Sequence, residues 1–175
     1  ILCGDMAERH CEFINGEIYH VYNRGADKRE TFMDEKDYLR FVQCLYIFND
    51  KDPRPTLKYL SVPQQVQPVG GRPDRPDPSG EKKYPVREKL VDILCWCAMP
   101  NHFHLMLRQV TDGGITSFMR KLATAYTSSF NKKYERSGVL FQGRFKAEHV
   151  GKEAYFLHLP FYIHANPIDL VENGW

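Results

Sequence analysis

The stretch KLVDILCWCAMPNHFHLMLRQV, residues 89–110, decides the fold. Each half is an apolar run of strand length, and Pro100 and Asn101 between them are residues typical of a turn. We therefore predict a buried strand over 89–99 and a second strand over 100–110, joined by a short turn. Alternation divides the side chains of the second strand between two faces, with His102, His104 and Met106 on one and Phe103, Leu105 and Leu107 on the other.

The segments outside this hairpin alternate between strand and helix patterns. GEIYHVYNRG (16–25) combines β-branched and aromatic residues between two glycines, which predicts a strand that has Ile18, His20 and Tyr22 on one face. Helical spacing of apolar residues predicts a helix over 34–50, with Asp34 as its N-cap and acidic residues in its first turn. The remaining segments predict a helix over 113–134, a turn and short irregular strand over 137–150, and a final helix over 152–166 that is interrupted or kinked at Pro160.

This order of elements predicts an α+β fold. Two βαβ-type halves around a four-stranded antiparallel sheet give a ferredoxin-like sandwich with helices on the faces of the sheet and one extra C-terminal helix. We assign residues 1–175 to a single domain. Residues 51–88 contain eight of the eleven prolines, so we interpret them as a mobile insertion in which TLKYLSV (56–62) is patterned for order.

Composition limits the compartment and the class of partner. No apolar run approaches the roughly 18 residues needed to cross a bilayer, so a soluble protein without a membrane partner is expected. The five cysteines include Cys95 and Cys97, which read as small buried hydrophobic residues, and we expect a reducing, cytoplasmic location. Between Arg108 and Lys152, nine basic residues face three acidic ones, which suits either a polyanionic partner or a solvated helix face.

His102 and His104 raise the question of chemistry. On one strand face their Cβ atoms lie roughly 7 Å apart, so both imidazoles can converge on one divalent ion, although two histidines satisfied by hydrogen bonds fit the spacing too. Three kinds of enzyme use such pairs. A zinc hydrolase would add a third ligand, a histidine-triad nucleotide hydrolase would have histidine in place of Met106, and a metal-assisted phosphodiester nickase would need a nucleophile elsewhere.

Four motifs together resemble one family. HFH (102–104), FYIHANP (161–167), YHVYNRG (19–25) and LFQGRFKA (140–147) occur in the order found in HUH single-tyrosine transposases, the insertion sequence 200-like transposases. The branch that they resemble most is that of the REP-associated tyrosine transposases. The resemblance covers most of the chain outside residues 1–16 and 51–88.

The resemblance implies a reaction and its residues. His102, His104 and Asn166 would bind a divalent metal, Mg²⁺ or Mn²⁺, and Tyr162 would be the nucleophile. The implied activity is that of a metal-dependent single-stranded DNA endonuclease and strand transferase that forms a 5′-phosphotyrosine intermediate on hairpin-containing repeat DNA. The spacing of Tyr162 and Asn166 agrees with these roles, since residues four apart share a helix face and could reach the same ion-bound phosphate. The alternatives are a domesticated module that binds hairpin DNA without cutting, and a nucleotide hydrolase.

The chain contains further tyrosines, histidines and basic residues that bear on the same site. Tyr155 is the second candidate nucleophile, Tyr126 is expected in the core, and His20 either approaches the site from a neighbouring strand or is simply packed. His149, His158 and His164 are not expected to bind metal. The candidate DNA contacts are basic residues after the first strand and others expected near the site: Arg24, Lys28, Arg29, Arg120, Lys121, Arg144 and Lys146. The partner that the resemblance implies is single-stranded or hairpin DNA, and a monomer or a homodimer is expected to bind it.

Overall fold

The computed structural model describes residues 12–54 and 87–168. Cys3, Cys11 and most of the predicted insertion, including residues 56–62, lie outside these ranges. The described elements, in chain order, are β1 (Ile18–Arg24), α1 (Glu35–Phe48), β2 (Val91–Met99), β3 (His102–Gln109), α2 (Gly114–Lys133), β4 (Lys146–His149) and α3 (Glu153–Ala165). Every predicted element is present, and its ends lie within two residues of the predicted ones, except that β4 begins nine residues after the start of its predicted segment.

The four strands form one antiparallel sheet in the order β2-β3-β1-β4. With helices α1 and α2 connecting its strands, this is the predicted ferredoxin-like arrangement. The register pairs Tyr22 with His104 and Arg24 with His102 across β1 and β3. It also pairs His20 of β1 with Glu148 of β4. Directly paired residues share a sheet face, so the polar side chains of three strands meet on one side.

The hairpin turn is held by the segment that follows β1. The backbone carbonyl of Pro100 accepts hydrogen bonds from the amides of Thr31 and Phe32, and the amide of Gly25 donates to the carbonyl of Asn101. A Cβ atom at Gly25 would lie 2.2 Å from the carbonyl oxygen of Arg29. Glycine is therefore required where the YHVYNRG motif ends.

Helices α1 and α2 cover one face of the sheet. The core between them contains the strand residues Val21, Phe103, Leu105 and Leu107, together with the helix residues Phe41, Leu45, Ile115, Phe118, Leu122 and Tyr126. Asp34 caps α1 by accepting from the amide of Asp37, as predicted. Tyr126 is buried and its hydroxyl donates to the carbonyl of Thr31, which confirms its place in the core.

Helix α3 covers the opposite face. A second apolar cluster joins Leu159 and Ile163 of this helix to residues of β2 and β3: Cys95, Cys97, Met99 and Met106. The cysteines are unpaired and buried, as predicted, and burial raises the pKa of the Cys97 thiol to about 11. Of the two outcomes predicted at Pro160, an interruption or a kink, the interruption is wrong, because α3 continues through the proline. Leu159 and Ile163 anchor the helix on both sides of the proline.

The two ends of the predicted insertion meet at its base. The amide of Lys51 donates to the carbonyl of Glu88, and the two side chains form an ion pair at 2.9 Å. Asn49 binds the backbone of Leu90 and Val91 through three hydrogen bonds. No helix in the described ranges is both long and apolar enough to span a membrane.

Candidate active site

The histidine pair lies on the sheet face that α3 covers. The rings of His102 and His104 are perpendicular, with their centroids 5.1 Å apart. His104 is 8% exposed, whereas His102 is partly exposed at the end of the strand. Met106, at the next position on this face, is buried in the apolar cluster beside Cys95. The site therefore contains no third alternating histidine of the kind that a histidine-triad hydrolase uses.

Asn101 orients His102. The Asn101 amide nitrogen donates to the carbonyl of Lys28 at 3.3 Å, which directs the amide oxygen to His102 Nδ1 at 2.7 Å. A carbonyl oxygen only accepts, so Nδ1 must carry the proton. His102 consequently has an unprotonated Nε2, the state in which imidazole binds a metal ion.

Burial keeps the imidazoles neutral. Desolvation lowers the pKa of His104 to about 3, with smaller contributions from His20 and His102. Burial also lowers the pKa of His102, and the positive charge of Arg24 acts in the same direction. Neutral imidazoles are suited to bind a cation because no proton has to be displaced.

Helix α3 brings Tyr162 to the histidines. The Tyr162 ring lies edge-on to His104, with 5.7 Å between the centroids, and 6.3 Å from the ring of His20. Tyr162 is 46% exposed, so the residue is accessible to a ligand. The geometry thus unites three of the predicted site residues across the sheet and the helix.

Asn166 follows at the end of α3, but no hydrogen bond joins it to either histidine. Its side-chain nitrogen and its backbone amide both donate to the carbonyl of Tyr162. Within the described residues, no group of three His, Cys, Asp or Glu side chains is arranged to hold a metal ion. Two neutral imidazoles could bind a divalent cation, which would need oxygen ligands from elsewhere to complete its coordination.

Sequence alternation left the role of His20 open, and the structure places it in the site. His20 Nε2 lies 2.9 Å from His104 Nδ1, and its Nδ1 lies 3.1 Å from the hydroxyl of Tyr155. Burial lowers the pKa of His20, partly offset by the charge of Glu148. The predicted fold already indicated that His20 could lie beside the histidine pair, because a ferredoxin-like sheet puts the first and third strands side by side.

Tyr155 shares the site face with Tyr162 because α3 is continuous. Its hydroxyl donates to Glu148 at 3.3 Å. Burial and the charge of Glu148 raise the pKa of Tyr155 to about 12. His164 lies elsewhere, beside Leu94 and Trp96 at the outer strand β2, as expected for a residue that turns away from the histidine pair.

The basic residues divide into two groups. Arg24 and Lys146 lie on the histidine face by strand register, and Arg144 lies just before β4. Lys28 and Arg29 lie in the loop that packs on the hairpin turn. Arg120 and Lys121 were expected near the site. They lie away from it, because α2 packs on the opposite face of the sheet. The Lys121 ammonium instead binds the carbonyls of Asp50 and Lys51.

The chain is similar to known proteins in sequence and in fold. Residues 83–166, which include both the HFH and the YIHAN segments, match the family model of the IS200-like transposases. The structure of the REP-associated tyrosine transposase bound to a REP hairpin is 17% identical, with a TM-score of 0.58 over 97% of this chain and 76% of that chain. This likeness confirms the fold. The crystal structure of a protein thought to be a transposase, from Deinococcus radiodurans R1, is 12% identical, with a TM-score of 0.45 over 90% of this chain and 96% of that chain. No curated protein matches significantly.

Proposed function

We propose that the chain is an IS200-like transposase that cleaves and rejoins single-stranded DNA, with hairpin-containing DNA as its substrate. The observation that carries the proposal is the position of Tyr162 beside His104, with 5.7 Å between ring centroids. The family match spans both residues. A solved structure of the same fold is bound to a REP hairpin, which is why hairpin DNA is the proposed substrate class.

In this proposal, His102 and His104 hold a divalent cation, Mg²⁺ or Mn²⁺, together with oxygen ligands that include Asn166. Such a cation, when bound, offsets the negative charge that builds on the scissile phosphate. Asn101 supports the assignment, since it presents His102 Nε2 as an unprotonated donor. The low pKa of His104 supports it as well, since this ring is neutral at physiological pH.

Tyr162 is the proposed nucleophile. Its phenolic oxygen would attack the scissile phosphorus, forming a bond to phosphorus while the bond to the 3′ oxygen breaks. The phenol proton passes to solvent, and the leaving 3′ oxygen takes up a proton, so the products are a 5′-phosphotyrosine and a free 3′-OH. Because the covalent bond conserves the phosphodiester linkage, a second 3′-OH can reverse the step and join strands.

Tyr155 is less suited to this role than Tyr162. Its hydroxyl is engaged by Glu148 and His20, and its pKa of about 12 disfavours the phenolate. Tyr162 is the more accessible of the two phenols. The structure therefore favours the first of the two candidate nucleophiles.

The cations on the histidine face are the proposed phosphate contacts. Arg24 pairs with His102 in the sheet, and Lys146 pairs with Tyr22, so both side chains flank the site. Arg144 is exposed in the adjoining segment. Phosphate contacts of this kind position DNA and weaken as salt concentration rises.

A covalent adduct tests the proposal. The protein is incubated with single-stranded hairpin oligonucleotides and Mn²⁺ or Mg²⁺, and a denaturation-resistant protein–DNA adduct is measured by electrophoresis. We expect the adduct to form with the natural chain, to disappear in Tyr162→Phe and with EDTA, and to form still in Tyr155→Phe, although more slowly.

Two outcomes would redirect the assignment. An adduct that persists in Tyr162→Phe and disappears in Tyr155→Phe would make Tyr155 the nucleophile. Hairpin binding without an adduct on any substrate would indicate a DNA-binding module that does not cut, which is the second candidate function. Binding alone is measured in parallel by fluorescence anisotropy, with a reversed-charge variant, Lys146→Glu, as the control for phosphate contact.

A further inference from the structure

A chain of hydrogen bonds crosses the sheet beneath α3 and ends at His104. Glu148 of β4 accepts from the hydroxyl of Tyr22 at 2.9 Å and from the hydroxyl of Tyr155 at 3.3 Å. The Tyr155 oxygen lies 3.1 Å from His20 Nδ1. His20 Nε2 lies 2.9 Å from His104 Nδ1. The chain thus links a carboxylate to the more deeply buried of the two proposed cation ligands.

We propose that Glu148, Tyr155 and His20 form a positioning relay that holds His104 as the tautomer protonated on Nδ1. The proposal rests on the proposed function, in which His104 binds a cation. None of the three relay residues touches the cation or the DNA in this assignment. Their role is to fix which nitrogen of His104 carries the proton.

The direction of the relay follows from the carboxylate. A carboxylate only accepts hydrogen bonds, so Tyr155 donates its single proton to Glu148 and must accept at His20. His20 then carries its proton on Nδ1, and its Nε2 accepts from His104 Nδ1–H. His104 is left with an unprotonated Nε2, the nitrogen with which it can bind a metal ion.

The opposite direction of hydrogen bonding would leave His104 without a free Nε2 to bind a metal ion. If Tyr155 donated to His20, then His20 would donate through Nε2 and His104 would carry its proton on Nε2. A hydrogen bond to a charged acceptor is roughly twice as strong as one between neutral groups, so the anionic Glu148 favours the first arrangement. The raised pKa of Tyr155 is consistent with it, because the phenol keeps the proton that it donates.

The relay complements the contact that orients His102. There the Asn101 oxygen accepts from Nδ1, and here the His20 nitrogen accepts from Nδ1 of His104. Both ligands would therefore offer Nε2, although their supporting groups come from different elements: Asn101 from the hairpin turn, His20 from β1 and Tyr155 from α3. Partners of this kind orient the ring and tune its basicity, and their loss typically costs 10–100-fold in metal affinity.

The tautomer of His104 can be read in the metal-free protein. Long-range ¹H–¹⁵N NMR spectra of the histidine rings distinguish a protonated from an unprotonated nitrogen. We expect His104 to be protonated on Nδ1 in the natural chain, to lose this preference in His20→Leu, and to regain it in His20→Gln, whose amide oxygen can accept. His104 protonated on Nε2 in the natural chain, or a tautomer unchanged in His20→Leu, would overturn the proposal.

Mn²⁺ affinity, measured by isothermal titration calorimetry, gives the second readout. His20→Leu should weaken binding by about 10–100-fold, and His20→Gln should restore most of it. Tyr155→Phe, which keeps the ring in place, should fall between them and serves if His20→Leu does not fold. His164→Gln on the far side of α3 is the control and should bind like the natural chain. Equal weakening in His20→Leu and His20→Gln would contradict the relay.

The two proposals fail in different ways. A natural chain that binds no Mn²⁺ but has His104 protonated on Nδ1 would overturn the cation assignment and keep the relay. A natural chain that forms the Tyr162 adduct but has His104 protonated on Nε2 would keep the proposed function and overturn the relay.

Discussion

His104 illustrates at the residue scale how burial prepares a side chain for its chemistry. The ring is buried, with Tyr162 of α3 and His20 of β1 against it, and this desolvation is the main cause of its low pKa. An imidazole in water would be partly protonated near pH 6.5, and a protonated ring cannot bind a cation. In the folded protein the same ring stays neutral over the whole physiological range.

The depressed pKa makes stability depend on pH in a defined direction. In the unfolded chain His104 takes up a proton below about pH 6.5, whereas in the folded protein its pKa is about 3. The unfolded state thus binds more protons between these values, and the free energy of unfolding falls as pH decreases, by at most about 1.4 kcal/mol per pH unit for this group. Urea titrations at pH 7, 6 and 5 measure the slope.

The contribution of His104 is isolated by comparing two variants. His104→Gln should have a shallower decrease in stability between pH 7 and pH 5 than the natural chain. His158→Gln removes an exposed histidine from α3 and should keep the natural slope. Equal slopes in the natural chain and in His104→Gln would mean that the buried ring takes up its proton in the folded state.

The common face of His102 and His104 was predictable from the sequence, but their contacts with other strands were not. Alternation along one strand placed His102 and His104 on a common face, and the structure agrees, because period two is a property of the strand itself. The contact between His20 and His104 depends instead on which strands become neighbours and in what register. Glu148 enters the site through the register of β1 with β4. Neither pairing is encoded by a local pattern.

At the element scale, Asp37 joins helices α1 and α2. Asp37 is acidic and lies in the first turn of α1, where a negative charge interacts favourably with the positive end of the helix dipole. The structure adds tertiary contacts: the Asp37 carboxylate accepts from the Met33 amide, the Tyr134 hydroxyl and the Lys133 ammonium. Asp37 is 3% exposed, so these donors depend on it. Asp37 therefore stabilises the first turn of α1 and also joins this turn to the end of α2.

Asp37→Ala should lower the free energy of unfolding by about 2–3 kcal/mol, because it removes the buried acceptor of three hydrogen bonds, one of them from an ammonium group. The matched control is Glu35→Ala, which removes an exposed acid from the same helical turn and should cost less than about 1 kcal/mol. Urea denaturation measures both. Similar losses in the two variants would mean that Asp37 acts only through the helix dipole.

Helix α3 is continuous although it contains a proline, which a rule based on local sequence does not predict. Pro160 predicted an interruption or a kink, since proline removes a helical hydrogen bond. The helix continues because Leu159 and Ile163 pack against the sheet on both sides of the proline. This continuity has a consequence for the site, because it puts Tyr155 and Tyr162 on one face. Both then contact His20.

For the molecule as a whole, the order of strands and helices was predictable because each element carries its own period, and the ferredoxin-like sheet follows from that order. The closure at the base of the insertion was not predictable. Arg87 lies over the ring of Tyr46, 4.0 Å from its centroid, and donates to the carbonyl of Asn49. Such contacts join residues about forty positions apart, and they are specified by packing rather than by spacing.

This closure predicts that the fold does not require residues 55–86. Lys51 and Glu88 are already paired by a backbone hydrogen bond and an ion pair, so we expect a short connection to suffice, with four glycine or serine residues in place of residues 55–86. We expect the shortened chain to fold and to gain about 1 kcal/mol in the free energy of unfolding, because a shorter connection costs less entropy to close. Urea denaturation and the adduct assay measure stability and function separately.

Asn49→Ala is the control that tests whether the base, rather than the insertion, holds the two ends together. It removes the acceptor for the amides of Leu90 and Val91 and should lower the free energy of unfolding by about 1–3 kcal/mol in both the full and the shortened chain. If the shortened chain is less stable than the full one, residues 55–86 contribute to the core. If it is stable but forms no adduct, they act in DNA recognition.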